Sequence, residues 1–387
     1  MSAGTWNPEI TKKGKVVHLT SVHGPLNFRI FYKECVSLRE AGYEVVEVAP
    51  AEKDVVVEGV QIRAIRKPKR RILRMVFGPF QVYQHAMRED GDVYQFHDPE
   101  LIPVALLLRA RGKTVVYDVH EDVPGTIAYK FYLPATLRRL LVPIARWVED
   151  SAAAHLSAIA AATDPIAERF AQNNERTISL HNFPILSEFA SCERIPWRNR
   201  DIAVSYVGAT MTRARGIVEV VEAIGYVPKQ LSARLALAGR FSNDGLREQL
   251  VNSPGWKYVD EMGFLPREGV AELLARTRVG LVVLHPEPNY LRSRPVKLFE
   301  YMAAGVPVIA SNFPDWRSIV EGGGCGLLVS PQDPKEIAEA IEFLLTHPEV
   351  AEKMGQNGRE AVERLYVWDA EKEKLFALYN NLLARSQ

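Results

Sequence analysis

Short runs rich in Val, Ile and Ala recur along this chain with helix-length segments between them, and that alternation restricts the fold more than any other feature. Lys15 to Thr20, Glu44 to Val48, Asp92 to Phe96, Lys113 to Asp118 and His155 to Ala160 are such runs. Apolar runs of this length, spaced by helical patterns, read as strands of a parallel sheet covered by crossover helices on both faces. A helical pattern through Phe31, Cys35 and Leu38 to Gly42 links the first two runs into a βαβ unit. The rhythm stops in the polar, proline-marked stretch Cys192 to Arg200, then restarts at Ile202 to Val207, Arg234 to Ala238, Val279 to Leu284, Val306 to Ala310 and Gly326 to Val329. A chain of 387 residues exceeds what one core usually serves. The reading is therefore α/β with two doubly wound domains, residues 1–190 and 191–369. The tail 370–387, with its helix Ala370 to Ala384, is expected to pack back on the first domain. Open sheets of this kind bind ligands at the carboxyl ends of their strands, so a central cleft faced by both domains is the expected site.

Charge is balanced, at 48 basic and 47 acidic residues, so nothing in bulk demands nucleic acid. Cys35, Cys192 and Cys325 are spaced for neither a disulfide framework nor paired zinc ligands, which points to a reducing cytoplasm. No apolar leader precedes the first strand run, and no stretch approaches the roughly 18 uninterrupted apolar residues of a membrane span. Locally the balance fails. Arg63, Arg66, Lys67, Lys69, Arg70, Arg71 and Arg74 fall in one stretch without an acid, followed by Met75, Val76, Phe77 and Phe80. This is either a solvated loop or a peripheral surface for an anionic membrane or a lipid diphosphate. Tyr129 to Trp147, with Arg138, Arg139 and Arg146 among aliphatics, extends the second reading.

The most informative segment is Asn289 to Ser311, NYLRSRPVKLFEYMAAGVPVIAS. Pro295 suits the first turn of a helix that runs to Ala304 and ends at Gly305. Free backbone N–H groups at Ser293 and Arg294, the helix dipole, and the cations Arg294 and Lys297 make an anion site suited to a diphosphate. Glu300, one turn deeper, is placed to accept hydrogen bonds from ribose hydroxyls. The plainer reading makes Leu298, Phe299 and Met302 core and Lys297 and Glu300 a solvated surface pair.

This segment resembles the donor-binding signature of the retaining glycosyltransferases of family 4, in the subgroup with the pattern N-Y-x-x-S-x-P-x-K-L-F-E-Y-M. The resemblance implies the GT-B fold, two Rossmann-like domains facing a central cleft, and metal-independent transfer of a hexose-type sugar from a UDP- or GDP-linked donor. The acceptor would be a carbohydrate, a lipid-linked molecule or a small molecule. In the segment VHGPLNFRIFYKECVSLREAGYEV, Gly24 would approach the donor diphosphate and Arg29 is the arginine of the first helix. FHDPELIP and YDVHEDVP are similar to the family, making His120 the histidine that faces the transferred sugar, and Asn182 falls where the family passes between domains. YVGATMTRARG, with Gly208, resembles the loop presenting basic side chains to phosphate, where Arg215 stands in place of a common lysine. Gly239 and Arg240 end the next strand. MGFLP is similar to the loop whose backbone, at Phe264 and Leu265, recognises the base.

One position departs from the pattern. Many relatives carry two glutamates separated by seven residues, the second matching Glu300, whereas the first position is Arg292 here, which bears on sugar identity. Glu287 is a weak substitute. The resemblance gives Arg215, Lys297 and the helix terminus the task of neutralising the leaving diphosphate, with His120 orienting the sugar. No metal motif stands at a strand end in the donor region, so no metal is expected. The cluster Gly322 to Gly326 does not complete a dinucleotide fingerprint, so no NAD and no other cofactor is expected. Two other functions fit the same plan: a sugar-nucleotide epimerase, and a non-catalytic binding scaffold suggested by Arg292.

Overall fold

The computed structural model describes residues 13–66, 71–129 and 133–384. The chain divides into two compact units, one of residues 1–182 with 369–387, the other of residues 183–368. The first unit ends earlier than the proline-marked stretch suggests. Residues 183–200 belong to the second unit because Phe183, Phe189 and Cys192 are buried in its core and Arg200 is spent inside it. The Arg200 guanidinium donates to the carbonyls of Thr277 and Ala304, both at 3.0 Å.

In the first unit the strands are β1 (Lys15–Leu19), β2 (Glu44–Pro50), β3 (Val55–Val57), β4 (Val60–Ile65), β5 (Val93–Phe96), β6 (Thr114–Val119), β7 (Ala158–Ala161) and β8 (Thr177–Ser179). Their order is β3-β4-β2-β1-β5-β6-β7-β8, and β3 alone runs antiparallel, against β4. The β3–β4 hairpin and β8 are short and partly exposed, and the apolar pattern did not announce them. Strand alternation gives the sheet two unlike faces. One face carries Val17, Leu19, Val46, Val48, Tyr94, Phe96, Tyr117 and Val119 in an apolar core. The other carries the buried polar residues His18, Glu47, Gln95 and Asp118. His18 lies in register with Glu47 on one side and Gln95 on the other. The C-terminal helix Trp368–Ala384 is tied to this polar face by Tyr379, whose hydroxyl donates to Gln95 Oε1.

The second unit holds β9 (Ile202–Met211), β10 (Leu235–Phe241), β11 (Val259–Gly263), β12 (Thr277–Val282), β13 (Val308–Ser311) and β14 (Gly326–Val329), all parallel, in the order β11-β10-β9-β12-β13-β14. Here both faces are apolar. Val207, Ala236, Ala238, Val282 and Ala310 enter one core, while Tyr206, Leu235, Leu237, Leu281 and Ile309 enter the other. The strand order reverses direction between β9 and β12, and between β1 and β5 in the first unit. Such switch points leave a crevice at the strand ends where ligands bind in open α/β sheets.

Candidate functional site

The loop after β9 is shaped by two glycines. A Cβ on Gly239 (φ +148°) would lie 1.9 Å from the Gly208 carbonyl oxygen, so the ends of β10 and β9 approach only with glycine there. Gly216 is left-handed at φ 67°, closing the turn of Arg213–Arg215 and opening the helix Ile217–Tyr226. Thr212 caps that turn through Arg215 N at 3.2 Å, and the Tyr206 hydroxyl donates to the Arg215 carbonyl at 2.8 Å. Arg215 is thereby aimed by its backbone, with its side chain half-buried.

Beyond β12 the short helix Pro288–Leu291 leads to the helix Val296–Ala303. Lys297 in its first turn reaches across the face of Tyr206, with Nζ 3.8 Å from the ring centroid. Its stem is partly exposed, yet Nζ is out of solvent and without a hydrogen-bond partner. Burial, followed by repulsion from Arg215, holds the Lys297 pKa well below its ordinary value. Two cations crowded together, with Glu300 the nearby negative charge and that one already engaged by Arg267, make an environment suited to an anion. Glu300, one turn on, is buried and pairs with Arg267 Nη1 at 2.6 Å; Arg267 Nη2 in turn donates to Glu188. Glu300 is therefore not the partner of Lys297 in a solvated surface pair.

Several expected positions meet and others are corrected. Arg215, Lys297 and Glu300 share one electrostatic neighbourhood. The Arg240 guanidinium lies 4.4 Å from the ring centroid of Phe264, which is 53 % exposed, while Leu265 packs its side chain on the core. Ser293 does not offer a free amide: its N–H donates to the Tyr290 carbonyl at 3.1 Å because the short helix continues into a turn there, and its own carbonyl accepts from Trp316 Nε1 at 2.8 Å. Arg294 is half-buried and Arg292 exposed. In the other unit Gly24 lies exposed on the loop after β1, with nothing near where a Cβ would stand. The segment after that loop is a π-helix, Phe28–Cys35, rather than the α-helix its pattern suggested. Bonds from i to i+5 bring residues five apart together, and Arg29 Nε lies 3.1 Å from Glu34 Oε1.

The π-helix thus delivers Arg29 to the polar face of the first sheet. Arg29 donates to both oxygens of Asp118, at 3.1 and 2.7 Å, and to the Leu180 carbonyl at 2.9 Å. Asp118 Oδ2 also faces His97 Nδ1 at 2.9 Å and His120 Nε2 at 2.6 Å. His97 Nε2 faces His18 Nδ1 at 3.0 Å. Burial works to raise the Asp118 pKa, but Arg29 and His120 outweigh it and hold the carboxyl well below its usual range. Burial lowers His97 to about 4 and His18 well below the ordinary imidazole value. Glu34 is pushed up, by burial first and then by Asp118. Two donor sets, His18 with Glu34 and His97, and His97 with Asp118 and His120, are close enough to share a metal ion. The Arg29 guanidinium on Asp118 sets a positive charge where a cation would need that carboxylate.

Of this column the sequence reading singled out His120 and Arg29. His18, His97 and Asp118 were missed, although polar residues at alternate positions of KVVHLT, VYQFHD and VVYDVHE were a visible signal; Arg267, in the second unit, was missed as well.

Comparison with known proteins agrees with this architecture. Residues 30–182 match the family model described as "Glycosyl transferase 4-like domain", and residues 201–347 match "Glycosyl transferases group 1". The sucrose-phosphate synthase structure from Thermosynechococcus elongatus superposes with a TM-score of 0.75 at 20% identity, covering 96% of this chain and 99% of that one. Anabaena HepE in complex with UDP and glucose superposes at 0.71 and 15% identity, covering 95% and 100%. The fold is GT-B. Among relatives by sequence, an MMP alpha-(1->4)-mannosyltransferase of Mycolicibacterium hassiacum is 26% identical over 49% of this chain, a match that spans only 44% of that relative. A phosphatidyl-myo-inositol mannosyltransferase of Mycobacterium leprae is 24% identical over 89% of this chain and 90% of its own length. The chain is a glycosyltransferase of the family 4-like kind.

Proposed function

We propose that this glycosyltransferase moves a hexose-type sugar from a UDP- or GDP-linked donor to an acceptor hydroxyl, with retention and without a metal ion. The observation that carries the reading is the unpartnered, buried Lys297 ammonium beside Arg215. A diphosphate supplies the charge this pair lacks, and the pair stabilises that diphosphate most as it departs with an extra negative charge. Glu300, steadied by Arg267, receives the ribose, and the Phe264–Leu265 backbone the base. Arg292 in place of an acidic residue leaves sugar recognition to other groups, His120 among them. UDP in the solved relatives favours a uridine donor. The test is a panel of UDP-, GDP- and ADP-sugars scored by thermal shift and slow hydrolysis, with and without EDTA. The expected result is one stabilising donor, hydrolysed equally in chelator. Isomerised donor would establish an epimerase, binding without turnover a scaffold, and loss in EDTA restored by Mg²⁺ a metal requirement.

A specific surface favours peripheral contact with an anionic membrane or a lipid-linked acceptor. The helix Ala135–Ala153 exposes Leu140, Ile144 and Trp147 at four- and three-residue spacing, Trp147 at 69 %, beside the exposed Arg139 and Arg146. Phe77 and Phe80 are likewise exposed on the helix Arg71–Glu89. Apolar side chains flanked by arginines suit an anionic headgroup layer. Arg63 is withdrawn from this surface: it sits on β4 and donates to Glu89 at 2.6 Å and Gln61 at 2.7 Å. Arg66 is exposed. Lys67, Lys69 and Arg70, with the side chains of Arg71 and Arg74, lie outside the described residues. Among the described residues no helix is long and apolar enough to cross a membrane.

A further inference from the structure

The chain just past β12 is held firmly enough to aim the residue that follows. Ser311, fully buried at the end of β13, accepts from the Leu284 amide and donates back to the Leu284 carbonyl, both at 2.7 Å. His285 comes next, and its backbone N–H donates at 2.9 Å to the carbonyl of Ala214, in the turn that carries Arg215. This main-chain tie needs no side chain, which leaves the imidazole for another task. Its Nε2 stands 3.0 Å from Oε2 of Glu219, in the first turn of the helix Ile217–Tyr226. Both atoms are out of solvent, and the approach lies too far off the ring N–H axis to complete a hydrogen bond. A contact of this kind acts by occupying the carboxylate rather than as a rigid clamp.

Glu219 is the acid nearest Arg215 along the chain, four residues on. Four residues span at most about 14 Å, and the left-handed turn at Gly216 shortens that. A carboxylate in the first turn steadies its own helix through the dipole, but beside a phosphate site it competes for the cations. In the structure that competition is suppressed. The Arg215 guanidinium donates to the Thr210 carbonyl at 3.2 Å and pairs with no carboxylate among the described residues, and the charges acting on Lys297 are those of Arg215 and Glu300, not that of Glu219. We propose that His285 is a positioning residue that engages the Glu219 carboxylate and so keeps it off Arg215 and the diphosphate site. That role presupposes the donor reading above, in which Arg215 and Lys297 receive the diphosphate. Loss of the imidazole releases Glu219 to pair with Arg215, and the charge-assisted hydrogen bonds of that pair are the ones the phosphate needs.

Calorimetric titration of the full-length protein with UDP and with uridine tests this, with GDP and guanosine in their place should the wild type select guanine. His285→Leu keeps the main-chain tie and nearly the volume of the ring. It should bind UDP roughly tenfold more weakly, because a charge-assisted contact to phosphate is contested, and uridine within about twofold of wild type. Adding Glu219→Gln removes the competitor, so the double variant should recover UDP affinity to within about threefold of wild type. His285→Gln, whose amide offers Oε2 a hydrogen at similar reach, should keep most of that affinity. A ring that merely filled space would give equal losses for UDP and uridine, unrestored by Glu219→Gln. Either that result or unchanged UDP affinity in His285→Leu overturns the proposal. Thermal unfolding reports whether each variant folds, and His285→Ala replaces His285→Leu if the latter does not. Wild-type protein that binds neither UDP nor GDP refutes the donor reading and this role with it, whereas wild-type binding that the His285 variants leave unmoved refutes this role alone.

Discussion

Replacing Lys297 by methionine should move affinity and stability in opposite directions. The ammonium lies over Tyr206, out of solvent, with no hydrogen-bond partner and with Arg215 close enough to repel it. In the complex it would donate to the diphosphate, and a hydrogen bond between charged groups contributes about 1.5–3 kcal/mol. At about 1.4 kcal/mol per tenfold, UDP should bind roughly 10- to 150-fold more weakly to the variant. Uridine, which lacks the diphosphate, should bind within about twofold of wild type. The free protein gains: methionine keeps nearly the same volume and removes a charge that its surroundings disfavour. The pH dependence follows from the direction of the shift. The folded pKa lies below the unfolded value of 10.5, so between the two the unfolded chain holds more protons, and wild-type stability rises with pH. The melting advantage of Lys297→Met should therefore be largest below the depressed pKa and shrink as pH approaches that of free lysine. Calorimetric titration with UDP and uridine, and thermal unfolding at neutral pH and near the unfolded lysine pKa, measure both effects. Unchanged UDP affinity together with a lower melting temperature would refute the reasoning.

Glu300→Ala should weaken UDP and uridine alike, because ribose is common to both, and Arg267→Met should reproduce part of that loss by releasing the Glu300 carboxylate; titration of both ligands against both variants reads this, and a loss confined to UDP would contradict it. Gly239→Ala forces a methyl group onto the Gly208 carbonyl at a φ foreign to alanine, so unfolding should show more than about 3 kcal/mol of destabilisation, against an expectation of near neutrality if the strand ends were loose. Combining Arg70→Glu, Arg71→Glu and Arg74→Glu, or Trp147→Ser with Leu140→Ser, should reduce cosedimentation with anionic vesicles while sparing UDP affinity. Vesicle binding equal to wild type in both would assign these surfaces to solvent.

The legible part of this protein is the part that repetition writes. In the second unit nearly every strand is an uninterrupted apolar run, so each was visible, except β11, whose Asp260, Glu261 and Met262 are exposed at the sheet edge. The helix Val296–Ala303 was visible because Pro295 and Gly305 mark its ends. The split at residue 182 was pointed to by the family resemblance at Asn182 and not by residue pattern, because proline and charge suggest a linker where Arg200 and Phe189 in fact lock the segment into a core. The π-helix was not visible, since its apolar spacing over eight residues hardly differs from that of an α-helix.

The functional side chains divide along the same line. Lys297 and Glu300 stand three apart on one helix, so local geometry alone places them together. Sequence by itself thus determined the two α/β units, the helix Val296–Ala303 and the crowd of cations at its start. That Lys297 loses its water, that Glu300 answers to Arg267 rather than to Lys297, and that Asp118 gathers Arg29 and His97 beside its near neighbour His120 are outcomes of packing, and the contacts of Glu300 with Arg267 and of Asp118 with Arg29 and His97 join residues 21 to 89 positions apart. Burial and hydrogen-bond partnership are properties of the packed chain, and only the tertiary structure could decide them.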